Sequence, residues 1–236
     1  MKKIITTIAI SGIAFLTFAQ GTVNWVAPVT AFIGQTNATV YSTFVSSTGS
    51  PVGGTSGNTV GGGTSLFYYE LLVSASVSSV PTTLSTLTNN WLDTGLQATN
   101  GPSANGRISM MGSSSQAIAA NWPASTVENL IMVGWSADLG TTYAAMLGNL
   151  SNWAIFSGTL AGAPAYFGVG TSVGSLASQS GNPGVTVFGS NAGQVNDTGT
   201  AMQMDLLSPA AVPEPTTMAL AALGGASLLL FRRRKV

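Results

Sequence analysis

The sequence has no cysteine and no histidine in its 236 residues, and only 6% of it is charged. Without cysteine there is no disulfide framework and no thiolate chemistry, though export is not excluded by that. Without histidine the commonest general base and the commonest transition-metal ligand are missing. Ser-His-Asp and Cys-His machines are therefore excluded. Basic residues are equally scarce: between Lys3 and Arg232 the only cation is Arg107, so a Ser-Lys pair is excluded too. From Gln20 to Val212, Glu70, Asp93, Glu128, Asp138, Asp197 and Asp205 stand against Arg107. A stretch so poor in Lys and Arg has no electrostatic footprint for nucleic acid. No motif calls for a cofactor, and the length allows one sizeable domain.

The remaining basic residues sit at the two ends. Lys2 and Lys3 precede an apolar stretch over 4–18, and Thr17-Phe18-Ala19 places small residues before Gln20. This is the pattern of a signal peptide over 1–19, cleaved between Ala19 and Gln20. At the other end, 216–231 is uncharged and mostly apolar, and Arg232, Arg233, Arg234 and Lys235 follow it. As a helix that run spans about 24 Å, short of the roughly 30 Å hydrocarbon core but within reach of snorkelling arginines and local thinning. The bases would stay on the cytoplasmic side as a stop-transfer cluster. Just outside the membrane, Pro213-Glu214-Pro215 is held extended by its two prolines, a form that a processing enzyme's groove can read.

The order Val-Pro-Glu-Pro, short apolar helix and arginine-rich end resembles the PEP-CTERM sorting signal of Gram-negative bacteria, over 212–236. Its parts are the motif at 212–215, a transmembrane helix at 216–231 and a basic cytoplasmic end at 232–236. The resemblance implies that an exosortase-type enzyme recognises Pro213, Glu214 and Pro215 after export and removes or exchanges the helix. It also implies an inner-membrane-anchored precursor that passes to the envelope, surface or extracellular matrix. Such proteins are commonly associated with exopolysaccharide and biofilm matrix.

The exported part, 20–211, consists of short apolar runs broken by Gly, Ser, Thr and Asn. Strands are expected at 22–26, 38–45, 66–77, 107–111, 129–137, 153–156, 165–169, 185–188 and 202–207. Such spacing predicts an all-β sandwich or barrel-like domain with one or two short helices. One helix is expected in ADLGTTYAAMLGNL, where Leu139, Tyr143, Met146, Leu147 and Leu150 have helical spacing and Asp138 would be the cap. TTLSTLTNNWL offers a second, weaker one. Residues 46–65 form a Gly/Ser-rich loop, with no Gly-Lys-Ser/Thr to make it a phosphate cradle. ENLIMVGWSADLG and AYFGVG resemble segments that recur in a group of exported PEP-CTERM proteins, and bring no catalytic residues with them.

Six carboxylates would suffice for glycosidase chemistry, but they are scattered singly along the chain. Calcium is the likeliest metal by elimination, yet SNAGQVNDTG, with Asn191, Asn196 and Asp197, reads as a turn, and no metal site is expected. Of the five tryptophans, Trp135 lies in an apolar run and belongs to the core. Trp91 and Trp122, beside Asn90 and Pro123, are expected to be exposed and are the candidate glycan contacts. The expectation is thus a non-enzymatic structural or interaction protein of the envelope or matrix. An exopolysaccharide-binding module is the alternative, and a carboxylate-dependent glycoside hydrolase a distant third.

Overall fold

The computed structural model describes residues 20–26, 32–45, 51, 54–58, 66–101, 106–181, 183–195, 197–209 and 223. Residues 1–19, expected as a signal peptide, lie outside the described residues, as do most of 46–65 and all of 212–236 except Leu223. The chain runs β1 (Gln20–Trp25), β2 (Phe32–Tyr41), β3 (Ser56–Asn58), β4 (Phe67–Ser74), α1 (Leu84–Asn90), β5 (Leu92–Asn100), β6 (Ile108–Met110), β7 (Ser114–Pro123) and β8 (Val127–Ser136). It continues through a 3₁₀ turn (Ala137–Leu139), α2 (Tyr143–Ser151), α3 (Trp153–Phe156), a second 3₁₀ turn (Ser157–Leu160), β9 (Tyr166–Val169), β10 (Gly174–Ala177), β11 (Val185–Thr186) and β12 (Asp197–Leu206). The domain is mainly β with short helices, as the turn-punctuated sequence predicts.

A nine-stranded sheet has the order β3-β2-β12-β9-β8-β4-β5-β6, with β10 also paired to β8. It curls until its far end returns: Ile33 bridges Arg107, and Gly34 N donates to Gly106 O at 2.9 Å. A three-stranded sheet, β11-β1-β7, packs against one face of it. That face supplies Tyr69, Leu71, Leu96, Ala98, Leu130, Met132, Met202 and Met204, which meet Val23, Trp25, Ala119 and Trp122 of the small sheet. The other face is covered by helices. There Tyr68, Leu72, Ile131, Val133, Trp135 and Phe167 pack under Leu87, Tyr143, Met146, Leu150 and Trp153.

Double coverage explains the composition of the central strands. FYYELLVS and NLIMVGWS read as continuous apolar runs because both faces of β4 and β8 are buried. Gly134 is required on β8, since a Cβ there would lie 2.4 Å from Met202 Cε and 2.8 Å from the Tyr69 ring. The segments ENLIMVGWSADLG and AYFGVG become neighbours, with Trp135 registered against Phe167 and Val133 against Val169.

Two expectations need correction. Residues 153–156, expected as a strand, form α3, because Asn152 ends α2 and at once starts the next turn. The i, i+3 pair Trp153 and Phe156 then meets ring to ring at 6.1 Å, a spacing only a helix provides. The cap of α2 is Thr142, which accepts from Ala145 N at 3.2 Å, and not Asp138. Asp138 falls in the preceding 3₁₀ turn, which ends at Gly140 with φ +109°. The weaker helix is α1, closed by a capping box in which Thr83 and Thr86 bond each other's backbone N–H.

Candidate functional site

The first candidate site is created by a bulge. Along β4, Glu70 pairs with Gln97 and Leu72 with Asp93, so β5 carries extra residues between them. Gly95 absorbs the kink at φ +70°, and its N–H donates to Asp93 Oδ1 at 2.7 Å. The Thr94 hydroxyl donates to Leu71 O at 2.7 Å, and Asn121 Nδ2 to Asp93 O at 2.7 Å. Bulges re-aim side chains; this one sets Asp93 and Gln97 beside Glu70, on the helix-covered face.

Glu70 is 1% exposed and lies within hydrogen-bonding reach of Asp93. Burial first, and then the Asp93 carboxyl, push its pKa up to about 9, against a smaller opposing contribution from Gln97. Glu70 is therefore a neutral acid at pH 7. Tyr143, on α2 above the sheet, is buried, and its ionisation is raised by burial and by both carboxyls. Glu70 Oε1 and the Tyr143 hydroxyl are both buried without a hydrogen-bond partner.

Sequence reasoning treated these acids as isolated; strand pairing brings two of them together. The only hint of this was a glutamate in the middle of an apolar strand. Carboxyls that share a hydrogen bond are closer than the about 5 Å of a retaining glycosidase pair and far closer than an inverting one. The other partly buried acids stand apart from this pair. Glu128 is raised by burial alone, and Asp205 is raised by burial while Asn37 Nδ2, at 3.0 Å from its Oδ1, opposes the shift. Among the described residues no group of three acidic side chains forms a metal site. The turn around Asn191 is closed by its own bonds, Gln194 N to Asn191 O at 3.2 Å and Asn191 N to Gln194 Oε1 at 3.1 Å.

The second candidate is a cleft of about 500 Å³ where β2, α3 and the end of β12 meet. Tyr41, Trp153, Leu160, Pro164 and Leu207 line it with small residues, and none of the described residues in its wall is charged. Trp153 is held by its Nε1–H, which donates to Ser208 O at 2.5 Å. Pro209, also in the wall, is the last described residue before the chain turns to its C-terminal segment.

The expected exposed tryptophans are absent. Trp91 is 2% exposed and Trp122 is 0% exposed, so neither offers a face to a sugar. Trp122 is buried because β7 turns it into the core, where its Nε1 donates to Thr126 O at 3.0 Å. Trp91 ends α1 and is drawn under the helical layer by Leu87 and its neighbours. Trp25, Trp135, Trp153, Tyr68 and Tyr69 are buried as well.

Of the other predicted site residues, Gln20 begins β1 and is exposed. Ala19, Pro213, Glu214, Pro215, Arg232, Arg233, Arg234 and Lys235 lie outside the described residues. No helix among the described residues is long and apolar enough to cross a membrane.

The PEP-CTERM protein-sorting motif matches residues 211–235. The chain carries this sorting signal, one residue earlier than the segment read from its prolines and arginines. Such a signal implies export and processing by an exosortase-type enzyme. No curated protein and no solved structure matches the chain.

Proposed function

We propose that this protein is an exported, exosortase-processed component of the cell envelope or extracellular matrix, with a structural or interaction role and no catalysis of its own. The observation that carries the reading is the sorting motif over 211–235, behind a mainly β domain. The precursor would be held in the inner membrane by 216–231 until Pro213-Glu214-Pro215 is recognised, and the domain would then pass to the surface or matrix. Support for a non-catalytic role comes from the chemistry available. There is no histidine, cysteine or mid-chain lysine, and among the described residues the acids Glu70 and Asp93 lie within hydrogen-bonding reach of each other, with Glu70 buried.

Exopolysaccharide binding is the second reading, and one observation favours a place for it. With the tryptophans buried, the cleft beside the half-buried Tyr41, lined by no charged side chain among the described residues, is where a neutral ligand would find aromatic contact area.

Two measurements test the proposal in native cells. Glu214→Ala should leave export intact and raise the amount of unprocessed, membrane-held protein. Wild-type protein that keeps Arg232–Lys235 indefinitely would make it a plain single-pass membrane protein. Pull-down of the purified domain by the host's own exopolysaccharide, lost on Ala161→Arg in the cleft wall with melting unchanged, would favour the glycan reading.

A further inference from the structure

Glu70 is almost completely enclosed, and its surroundings are unusual for a carboxyl group. From β5 it faces Asp93 and Gln97, and on α2 the Tyr143 hydroxyl lies near enough for the charges of Asp93 and Glu70 to raise its ionisation. Its partner on β8 is Val133, and the same layer holds Ile131, Trp135, Leu87 and Trp91. No cation is among the groups acting on it. Asp93 is only half-buried, so the pair has contact with water on that side.

The groups above the pair form one connected layer. Tyr143, Met146 and Leu150 are the buried residues of α2, and Asn152 joins α2 directly to α3. Trp153 of α3 holds Ser208 O, and Trp153, Ser157, Gly158 and Leu160 help to wall the cleft of about 500 Å³ at the end of the domain.

We propose that the Glu70–Asp93 pair is a proton-operated lock between the curled sheet and the α2–α3 layer, closed while the two carboxyls share a proton and released, with both sheets still folded, when that proton is lost. The step balances simply: hydroxide takes the proton from the Glu70 carboxyl, giving water and a second carboxylate beside Asp93. Two negative charges then face each other in an apolar layer with no cation among the groups acting on Glu70, under a helix whose Tyr143 hydroxyl has no hydrogen-bond partner. The cheapest relief is to let water in, which means lifting α2. Because Glu70 holds its proton up to about pH 9, the lock is closed at neutral pH and opens on the alkaline side. Opening would widen the cleft and loosen the hold on Ser208, from which the chain leads to its sorting segment.

The cysteine-free sequence allows a clean test on the full chain. Single thiols are introduced as Met146→Cys on the buried side of α2, Ala144→Cys on its exposed side and Leu71→Cys in the other core. From about pH 6.5 to about pH 9.5, labelling of Met146→Cys relative to Ala144→Cys should rise about tenfold or more, while Leu71→Cys stays unreactive. A flat ratio, or labelling of Leu71→Cys in step, overturns the proposal. In a Glu70→Gln background the rise should vanish; its persistence overturns the lock. Should Glu70→Gln fail to fold, Asp93→Asn provides the second arm. It removes a carboxyl that raises Glu70, so the labelling rise should move to lower pH by about a unit. An unmoved rise with Asp93→Asn is equally fatal.

Discussion

Along β4, Tyr69, Leu71 and Val73 face the core shared with the three-stranded sheet, while Tyr68 and Leu72 face the helices, with Glu70 between them. The two faces are built to different standards. In the sheet-side core, Trp25 Nε1 donates to Gln97 O at 3.2 Å and Trp122 Nε1 to Thr126 O at 3.0 Å. In the helix-side core Trp135 Nε1 donates to Gly140 O at 2.7 Å and Trp153 Nε1 to Ser208 O, while Glu70 Oε1, Trp91 Nε1 and the Tyr143 hydroxyl are, among the described residues, buried without partners. Each such atom costs about 1–3 kcal/mol. The helical layer therefore holds three buried groups that entering water would satisfy.

The comparison breaks most severely at Trp25, which is fully buried against Phe188 at 5.4 Å. Trp25→Ala should cost about 3–5 kcal/mol and lower the melting temperature of the whole domain in a single transition. A second, separate transition would mean that the two cores are not coupled as described.

Next comes Glu70, where the sign can be stated. Its folded pKa is raised, so the stability it contributes is fully present below about pH 4.5 and is lost as pH rises towards about 9. Each unit of displacement corresponds to about 1.4 kcal/mol, so the loss should amount to a few kcal/mol. Urea melts at a series of pH values should show the wild type weakening over this interval and Glu70→Gln nearly flat. A wild type that is strongest near pH 9 would contradict the buried neutral acid.

Much of the fold was legible because it rests on residues that behave alike in many settings. Strands β1, β4, β8, β9 and β12 announce themselves as apolar or β-branched runs. By contrast, β5 and β7, in LDTGLQATN and SSQAIAANWP, bury mainly Thr94, Leu96, Ala98, Ala117, Ala119 and Trp122. Small and polar residues have little strand preference of their own, and only their partners make them strands. The same limit hid the acid pair, since Glu70 and Asp93 meet only through antiparallel pairing and a bulge. It also misplaced Trp91 and Trp122, whose polar neighbours in sequence say nothing of what packs on the ring. The sorting segment was the most legible part, because its motif is local.

The two misplaced tryptophans sharpen the comparison further. Trp122→Phe deletes the donor to Thr126 O, whereas Trp91→Phe deletes a donor that has no partner. Both lose similar apolar area, so Trp122→Phe should be the more destabilising by about 1 kcal/mol. Denaturant midpoints at unchanged m-value would measure the difference. Equal costs would mean that the Trp91 N–H does find a partner in solution, and the helix-side core would then be better satisfied than its neighbour.

The smallest effect belongs to the start of α2, and it decides between two readings of one short stretch. Thr142 has extended backbone angles, φ −129° and ψ 153°, and its hydroxyl accepts from Ala145 N, which is how a cap satisfies one of the free N–H groups of the first turn. Asp138 lies before the kink at Gly140, where a Cβ would come within 2.8 Å of Ala145 Cβ, so its carboxylate has no route to the first turn of α2. Thr142→Ala should therefore cost about 1 kcal/mol, while Asp138→Ala should be close to neutral. Because α2 is the moving part of the proposed lock, the lost cap should also raise the labelling of Met146→Cys at neutral pH, before Glu70 ionises. A larger penalty at Asp138 than at Thr142 would place the helix start about four residues earlier and would shift Tyr143 within the helical layer.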